Sequence, residues 1–431
     1  MRSAALVEAC ILQSGAACAL CLLLLFLGAC NTPSRLSQEN LTTQFSYTSD
    51  ILAPEALIYH DGSDSSVLYF SIPAGSLLYM NAGERYMARM KLHYSVYASY
   101  NSKVPLDSGS AAFEIWSPSN DAGFRDHFRI PLPPKGSAVL KLVFSDLNRK
   151  TDASRYLVLK AHDVLSPQNF LLRDSLGSYL YESRLSGPST FSIGSQWPGT
   201  EFLWVRCYFR KFPLAVLPFR VVEDEVFEMR SDSVFRLERE QWSAVRLTQP
   251  GIYFFQPDTL LNGGLTVTCF EKDFPKVTRA EQLIEATRYL TTRKEYHQLM
   301  QADDKKAALD GFWLDIGGSP ERARFLIRTY YNRVQEANRL FTSYLEGWKT
   351  DRGMIHMILG RPHSIYRDGE TEQWTYSNLA GFPDMLFLFR KMNNPFTEND
   401  YALIRQAVYE NVWYIAVDHW RQGRVVNDFE R

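Results

Sequence analysis

The stretch EGWKTDRGMIHMILGRPHSIYRDGETEQWTYS, residues 346–377, decides how the carboxy-terminal third folds. Thr350 or Asp351 is placed to cap a short helix, with Met354, Ile355, Ile358 and Leu359 as its apolar face. Gly360 supplies a left-handed stop, and Pro362 blocks continuation. Asp368 and Gly369 make a tight turn between SIYR and ETEQWTY, where Gln373 and Thr375 alternate with Trp374 and Tyr376, so a hairpin follows the helix. MLFLFRK at 385–391 adds a third strand. The expectation is a helix packed on a small antiparallel sheet.

Working back toward the amino terminus, the pattern changes near Asp273. Thr278 with Glu281 three residues later forms a capping-box signature, followed by Leu283, Ile284 and Leu290 at helical spacing. A second helix opens at Ser319, with Pro320 and Glu321 where a missing amide and a negative charge are best tolerated. Its Leu326, Tyr330, Val334, Ala337 and Phe341 share one face, which reads as helix packing. Beyond the hairpin, Val408, Val412, Ile415 and Trp420 recur at roughly helical intervals up to Gly423. Trp413 and Trp420, seven apart, are expected to pack inside.

Before residue 273 the periodicity is two. MKLHYSVYA at 90–98 puts Met90, Leu92, Tyr94 and Val96 in phase, and VLKLVF at 139–144 does so for Leu140, Leu142 and Phe144. Residues 42–165 therefore read as a β-sandwich-like domain, and 166–272 as a second β-rich domain, with one continuous β-domain as the rival reading. Residues 273–431 form the helical segment and the helix-on-sheet domain. The fold class is α+β and multidomain.

The first thirty residues, MRSAALVEACILQSGAACALCLLLLFLGAC, hold an apolar stretch of about a dozen residues, short of the roughly twenty a spanning helix needs. Residues 1–29 read as a cleavable signal peptide. Leu27, Gly28, Ala29 and Cys30 resemble the lipobox of bacterial lipoproteins, so Cys30 is the expected lipidation site and 30–41 a polar, flexible tether. Of six cysteines this leaves Cys207 and Cys269 in the body. Each shares the apolar phase of its strand-like run, and in an oxidising envelope they form a disulfide or remain two separate buried thiols. A formal charge of -1 with no basic excess gives nothing to attract nucleic acid.

GWKTDRG at 347–353, ILGRP at 358–362 and WTY at 374–376, together with the lead-in PERARFLIRTYYNRVQEANRLF, resemble the GWxTD-domain family of Bacteroidetes-type bacteria. That resemblance implies an envelope-associated protein without established activity. Related proteins carry an acidic residue after the proline, where this chain has His363, so no role of that carboxylate carries over. The same region is similar in pattern to small outer-membrane lipoproteins of the barrel-assembly machinery, which are interaction modules.

Physically, Gly347 and Gly353 mark backbone positions that a side chain would obstruct, Trp348 is a large anchor, and Asp351 with Arg352 supplies a cap and a charge tying the helix start to a neighbouring loop. Thr350, Gly360, Pro362, Trp374 and Tyr376 complete this structural or binding motif. The rival reading makes Asp351 and Arg352 part of a ligand site, with His356 or His363 in acid or base chemistry. HExxH, paired CxxC, GxSxG and GxxxxGK are absent, and the eight histidines show no metal-ligand spacing. No metal or cofactor is expected. The function expected is a lipid-anchored interaction or scaffold module, membrane-held by its lipid on the periplasmic side of the outer membrane and bound to another envelope protein. The alternative is an envelope enzyme acting on a polymer such as glycan through carboxylates.

Overall fold

A computed structural model describes residues 35–426, apart from 46–50, 63, 118–122, 134–135, 196–200, 222–227 and 378–382. The signal segment and Cys30 lie outside the described residues.

The period-two runs of the first region become β1 (Glu55–His60), β2 (Ser65–Ile72), β3 (Met80–Asn81), β4 (Tyr86–Tyr97), β5 (Asp107–Trp116), β6 (Phe124–Pro131), β7 (Ser137–Asp146) and β8 (Thr151–Lys160). One sheet runs β1-β2-β6, and the other β3-β4-β7-β8 with β5 also on β4. Met90, Leu92 and Val96 on β4 and Leu140, Leu142 and Phe144 on β7 are buried against Leu68, Phe70 and Ile72 of the facing sheet. Tyr94 is only half-buried, because its hydroxyl reaches out to donate to Asp107 at 2.9 Å.

The next region holds β9 (Phe170–Arg173), β10 (Arg184–Ser186), β11 (Ser189–Ser195), β12 (Phe202–Tyr208), β13 (Ser233–Glu238), β14 (Ser243–Leu247), β15 (Gly251–Gln256) and β16 (Leu265–Phe270). A β10-β16-β15-β12-β13 sheet faces a β14-β11-β9 sheet, and their inner faces share a separate core. Cys207 and Cys269 both enter that core, yet they are free thiols. β15 lies between their strands, with Cys207 opposite Tyr253 and Cys269 opposite Gly251. Two strand spacings of about 4.8 Å separate them, beyond the ~7 Å that a disulfide spans. The disulfide reading is thereby corrected to two separate thiols, each pushed up by burial to about 11.

The helices are α1 (Ala280–Ala286), α2 (Arg293–Gln301), α3 (Lys305–Gly317), α4 (Pro320–Leu340), α5 (Asp351–Leu359) and α6 (Tyr409–Arg421), and the last sheet runs β17 (Ser364–Arg367), β18 (Thr371–Tyr376), β19 (Met385–Lys391), β20 (Tyr401–Leu403). The fold is α+β. Ser319 caps α4, and the stripe from Leu326 to Phe341 is buried, as are Trp413 and Trp420. The capping box lies elsewhere than expected: Thr278 donates to Asp273, while Thr292 and Glu295 make the reciprocal pair at the start of α2. Among the described residues no helix is long and apolar enough to cross a membrane.

The tether reading of residues 30–41 also changes from Leu36 onward. Leu36 is buried against Tyr100 and Val139, and Glu39 accepts from Lys141 and Tyr156. Asn40 accepts from the Ile365 amide, and the Leu41 amide donates to Ile365 at 2.8 Å. Leu41 and Phe45 enter the helical core. Two well-spaced leucines in a polar run are enough to fix a short segment when each meets an apolar pocket.

Candidate functional site

The motif is a joint between three pieces of backbone. As α4 ends, Thr342 Oγ1 accepts from the Gly347 amide at 3.0 Å and Asn338 Oδ1 accepts from the Trp348 amide at 3.2 Å. A Cβ on Gly347 would stand 1.7 Å from the Ala337 carbonyl oxygen, and one on Gly353 would stand 1.8 Å from that of Gly347. The 3-10 turn Gly347–Lys349 is thus pressed between α4 and α5. Thr350 closes the stack, donating to Gly347 O at 2.7 Å and accepting from the Gly353 amide at 3.1 Å. Trp348 is buried, and its indole N–H has no acceptor among the described residues. At the far end of α5, Gly360 takes a positive φ of 78° and its carbonyl accepts from the Tyr376 hydroxyl at 2.8 Å.

Asp351 and Arg352 tie the helix start to the sheet. Asp351 accepts from the Leu403 amide at 2.7 Å and from Arg405 at 2.6 and 3.1 Å. Arg352 donates to Asn399 at 2.8 and 2.6 Å, faces both oxygens of Glu372 at 3.4 Å and lies 4.3 Å over the Tyr401 ring. Glu372 is fully buried and also accepts from Arg367 Nε at 2.9 Å and Trp374 Nε1 at 2.8 Å. Burial opposes its charge, but the two guanidiniums outweigh burial and hold the carboxyl below the usual range.

His356 is buried one layer away, with Nε2 3.1 Å from Glu336, to which Arg361 donates at 2.6 Å. Burial lowers the His356 pKa, against the pull of the Glu336 carboxylate beside it. Burial would raise Glu336, yet His356 and Arg361 overcome it and bring the carboxyl down to about 2. His363 is exposed, and its Nδ1 accepts from the Ser377 amide at 3.3 Å. Neither histidine bonds Asp351 or Arg352 among the described contacts, so the acid-base constellation around those two residues is not assembled.

The chain between β12 and β13 crosses this joint. The Ala215 amide donates to Lys349 O at 2.9 Å, Arg405 donates to Val216 O at 3.3 Å, and Ala215, Leu217 and Phe219 pack on the helical core. Two clefts adjoin this stretch of chain, one of about 600 Å³ beside Trp348 and one of about 640 Å³ beside Asp351 and Asp400. Burial pushes both aspartates up. Both Asp351 oxygens are engaged by Arg405 and Leu403, whereas Asp400 accepts from Asn394 at 2.8 Å through one oxygen only. The cleft therefore offers one carboxylate with a free oxygen next to one already saturated. Among the described residues no three His, Cys, Asp or Glu side chains converge as a metal site requires.

Sequence reasoning missed Glu372, Arg367, Arg405, Asn399 and Glu336. Glu372 carried a usable signal: it shares the period-two phase of Trp374 and Tyr376, and a carboxylate in an apolar phase demands a cationic partner. The partners lie 5 to 54 residues away in sequence from the groups they pair, and no local spacing marks them.

The family model for the GWxTD domain matches residues 251–422. This chain is a GWxTD domain-containing protein. The matched region starts at β15 and ends just past α6, so it takes in two strands of the second sandwich as well as the joint. No curated protein matches the chain. Among solved structures it is similar to red sea bream transglutaminase, at 12% identity over 52% of this chain and 32% of that one with a TM-score of 0.17. It is also similar to CBD12 from CALX1.2, at 7% identity over 56% and 89% with a TM-score of 0.14. The chain thus spans about a third of the transglutaminase, and likeness this slight bears on neither fold nor activity.

Acid should loosen the GWxTD domain through its paired carboxylates. Arg421 and the Thr292 cap bring Glu295 down to about 2, alongside Glu336 at about 2. Carboxyls held below their unfolded values stabilise the fold fully above about pH 4.5 and lose that contribution as pH falls toward 2. Urea unfolding at stepped pH should be flat from pH 7 to 5 and decline between about 4.5 and 2. Glu336→Gln should flatten part of that decline, and an unchanged acid limb in this variant would count against the pairing.

Proposed function

We propose that this GWxTD protein is a lipid-anchored envelope protein, held through Cys30 on the periplasmic side of the outer membrane, that works as an interaction or scaffold module. One observation carries the reading: the signature side chains are buried in internal joints, with Thr350, Asp351 and the Arg352 terminal nitrogens engaged by neighbouring backbone and side chains and Trp348 packed in the core. Such a motif preserves a shape. The four-stranded sheet supports the same view, because its outer face sets exposed Leu386 (47%) opposite Thr375, Leu388 opposite Gln373, and adds Ile404 (37%) from beyond β20. An apolar strip with a polar border suits a protein partner in the envelope.

The test is crosslinking of the lipoprotein in its native envelope, with Leu386→Glu and Ile404→Glu alongside. A defined partner captured by the parent and lost from the surface variants supports the module. Capture that is unchanged by both charges, or no capture at all, sinks it. Cys30→Ala should release the protein from membranes. The second reading, an envelope enzyme acting on a polymer such as glycan, draws on Asp400 in its cleft. Glycan turnover abolished by Asp400→Asn would favour it.

A further inference from the structure

We infer that the loop between β4 and β5, Asn101–Leu106, lies in the bilayer interface beside the lipid anchor. The inference rests on lipidation of Cys30 and adds which side of the body meets the membrane. Only Asn31–Arg35 separate Cys30 from Leu36, the first buried residue of the body. Six steps of about 3.3–3.6 Å reach roughly 20 Å when fully extended. A domain assembly of about 400 residues has a radius of gyration near 21 Å, so the leash is shorter than the body is wide. The surface where Leu36 emerges is therefore held within about 20 Å of the bilayer.

That surface is the base of the β4–β5 loop. Leu36 packs on Tyr100, the Ser37 amide donates to Tyr100 O at 2.8 Å, and Ser37 Oγ donates to Asn101 Oδ1 at 2.8 Å. The loop is held at both ends, by Ser102 N to Ser99 O at 3.1 Å and Leu106 N to Val96 O at 2.6 Å. At its tip Val104 is 69% exposed and Leu106 56%, with Pro105 between them and Lys103 before them. Apolar side chains on a rigid turn with an adjacent flexible cation suit insertion at headgroup depth, with the lysine reaching back to water. With two exposed apolar side chains against one lysine, the contact is chiefly apolar in origin and does not need anionic lipid.

The experiment uses the full lipidated chain with Val104→Cys carrying an environment-sensitive fluorophore, in vesicles of phosphatidylcholine and phosphatidylethanolamine. Native Cys207 and Cys269 are buried and leave the label at one site. The expected result is a blue-shifted emission, quenched at least twofold by a quencher carried on the lipid chains and insensitive to added salt, with neither effect when Cys30→Ala is also present. A label that stays water-quenched while the protein floats with the vesicles overturns the loop assignment and leaves the lipoprotein reading intact. Absence of diacylglycerol on Cys30 by mass spectrometry, with no flotation, overturns both.

Discussion

Gly347→Ala is expected to cost about 4 kcal/mol or more, and Gly353→Ala a similar amount. Most single substitutions cost ~0.5–3 kcal/mol, and larger losses need a named mechanism. Here the mechanism is overpacking against main chain. The new methyl carbon would sit 1.7 or 1.8 Å from a carbonyl oxygen that belongs to a helix end or to the 3-10 turn itself. A side chain in the way can change rotamer; a carbonyl moves only if its element moves. Gly311→Ala, inside α3 with nothing within 4 Å of its Cβ, should instead stabilise by ~0.5–1 kcal/mol through helix propensity. Urea unfolding followed by tryptophan fluorescence reads all three. Equal midpoints for Gly347→Ala and the parent chain would mean that the stacked joint is not rigid.

The second large effect is Glu372→Gln, expected to lose about 3–5 kcal/mol. Removing one partner of a buried ion pair leaves an uncompensated charge, which is far worse than removing the whole network. Arg352 and Arg367 would both lose their carboxylate, and the Trp374 indole would lose half of a charge-assisted bond. Adding Arg367→Met to Glu372→Gln should recover part of the loss, by returning the site toward neutrality. Because Glu372 is held below its ordinary value in the fold, its contribution is complete at neutral pH and fades as pH drops through that lowered value. The gap between parent and Glu372→Gln should therefore shrink in acid. A gap that stays constant down to pH 2 would argue that the loss comes from packing alone.

Much of this is legible in the sequence. A cap at Thr350 or Asp351, of which the structure uses Thr350, the turn at Asp368–Gly369 and the shared phase of Trp374 and Tyr376 follow from local rules of periodicity and capping, which act within a few residues. β20 is not, because three residues between polar turns carry no period, and it forms only by pairing with β19. The misplaced capping box has a similar cause: Thr278 has the right spacing, but a bond to Asp273 draws its hydroxyl away. The functional joint was half visible. Glycine, tryptophan and the Asp351–Arg352 pair stood out, while Glu372, Arg405 and Asn399 reach the site through the tertiary fold. Pairing between β-strands similarly placed Cys207 and Cys269 two strands apart, a distance no spacing in sequence expresses.

The segment that crosses the joint at residues 215–219 changes what kind of inheritable unit this domain is. Ala215, Leu217 and Phe219 come from the preceding sandwich, and Leu41 and Phe45 from the opposite end of the chain, yet all contribute to the core that surrounds Trp348. A recombination event that moved only residues 251–422 into another gene would carry the recognisable motif and leave its lining behind. Descent should therefore pass the motif on with its upstream sandwiches as one block, and free-standing copies should be rare unless another chain supplies the missing wall.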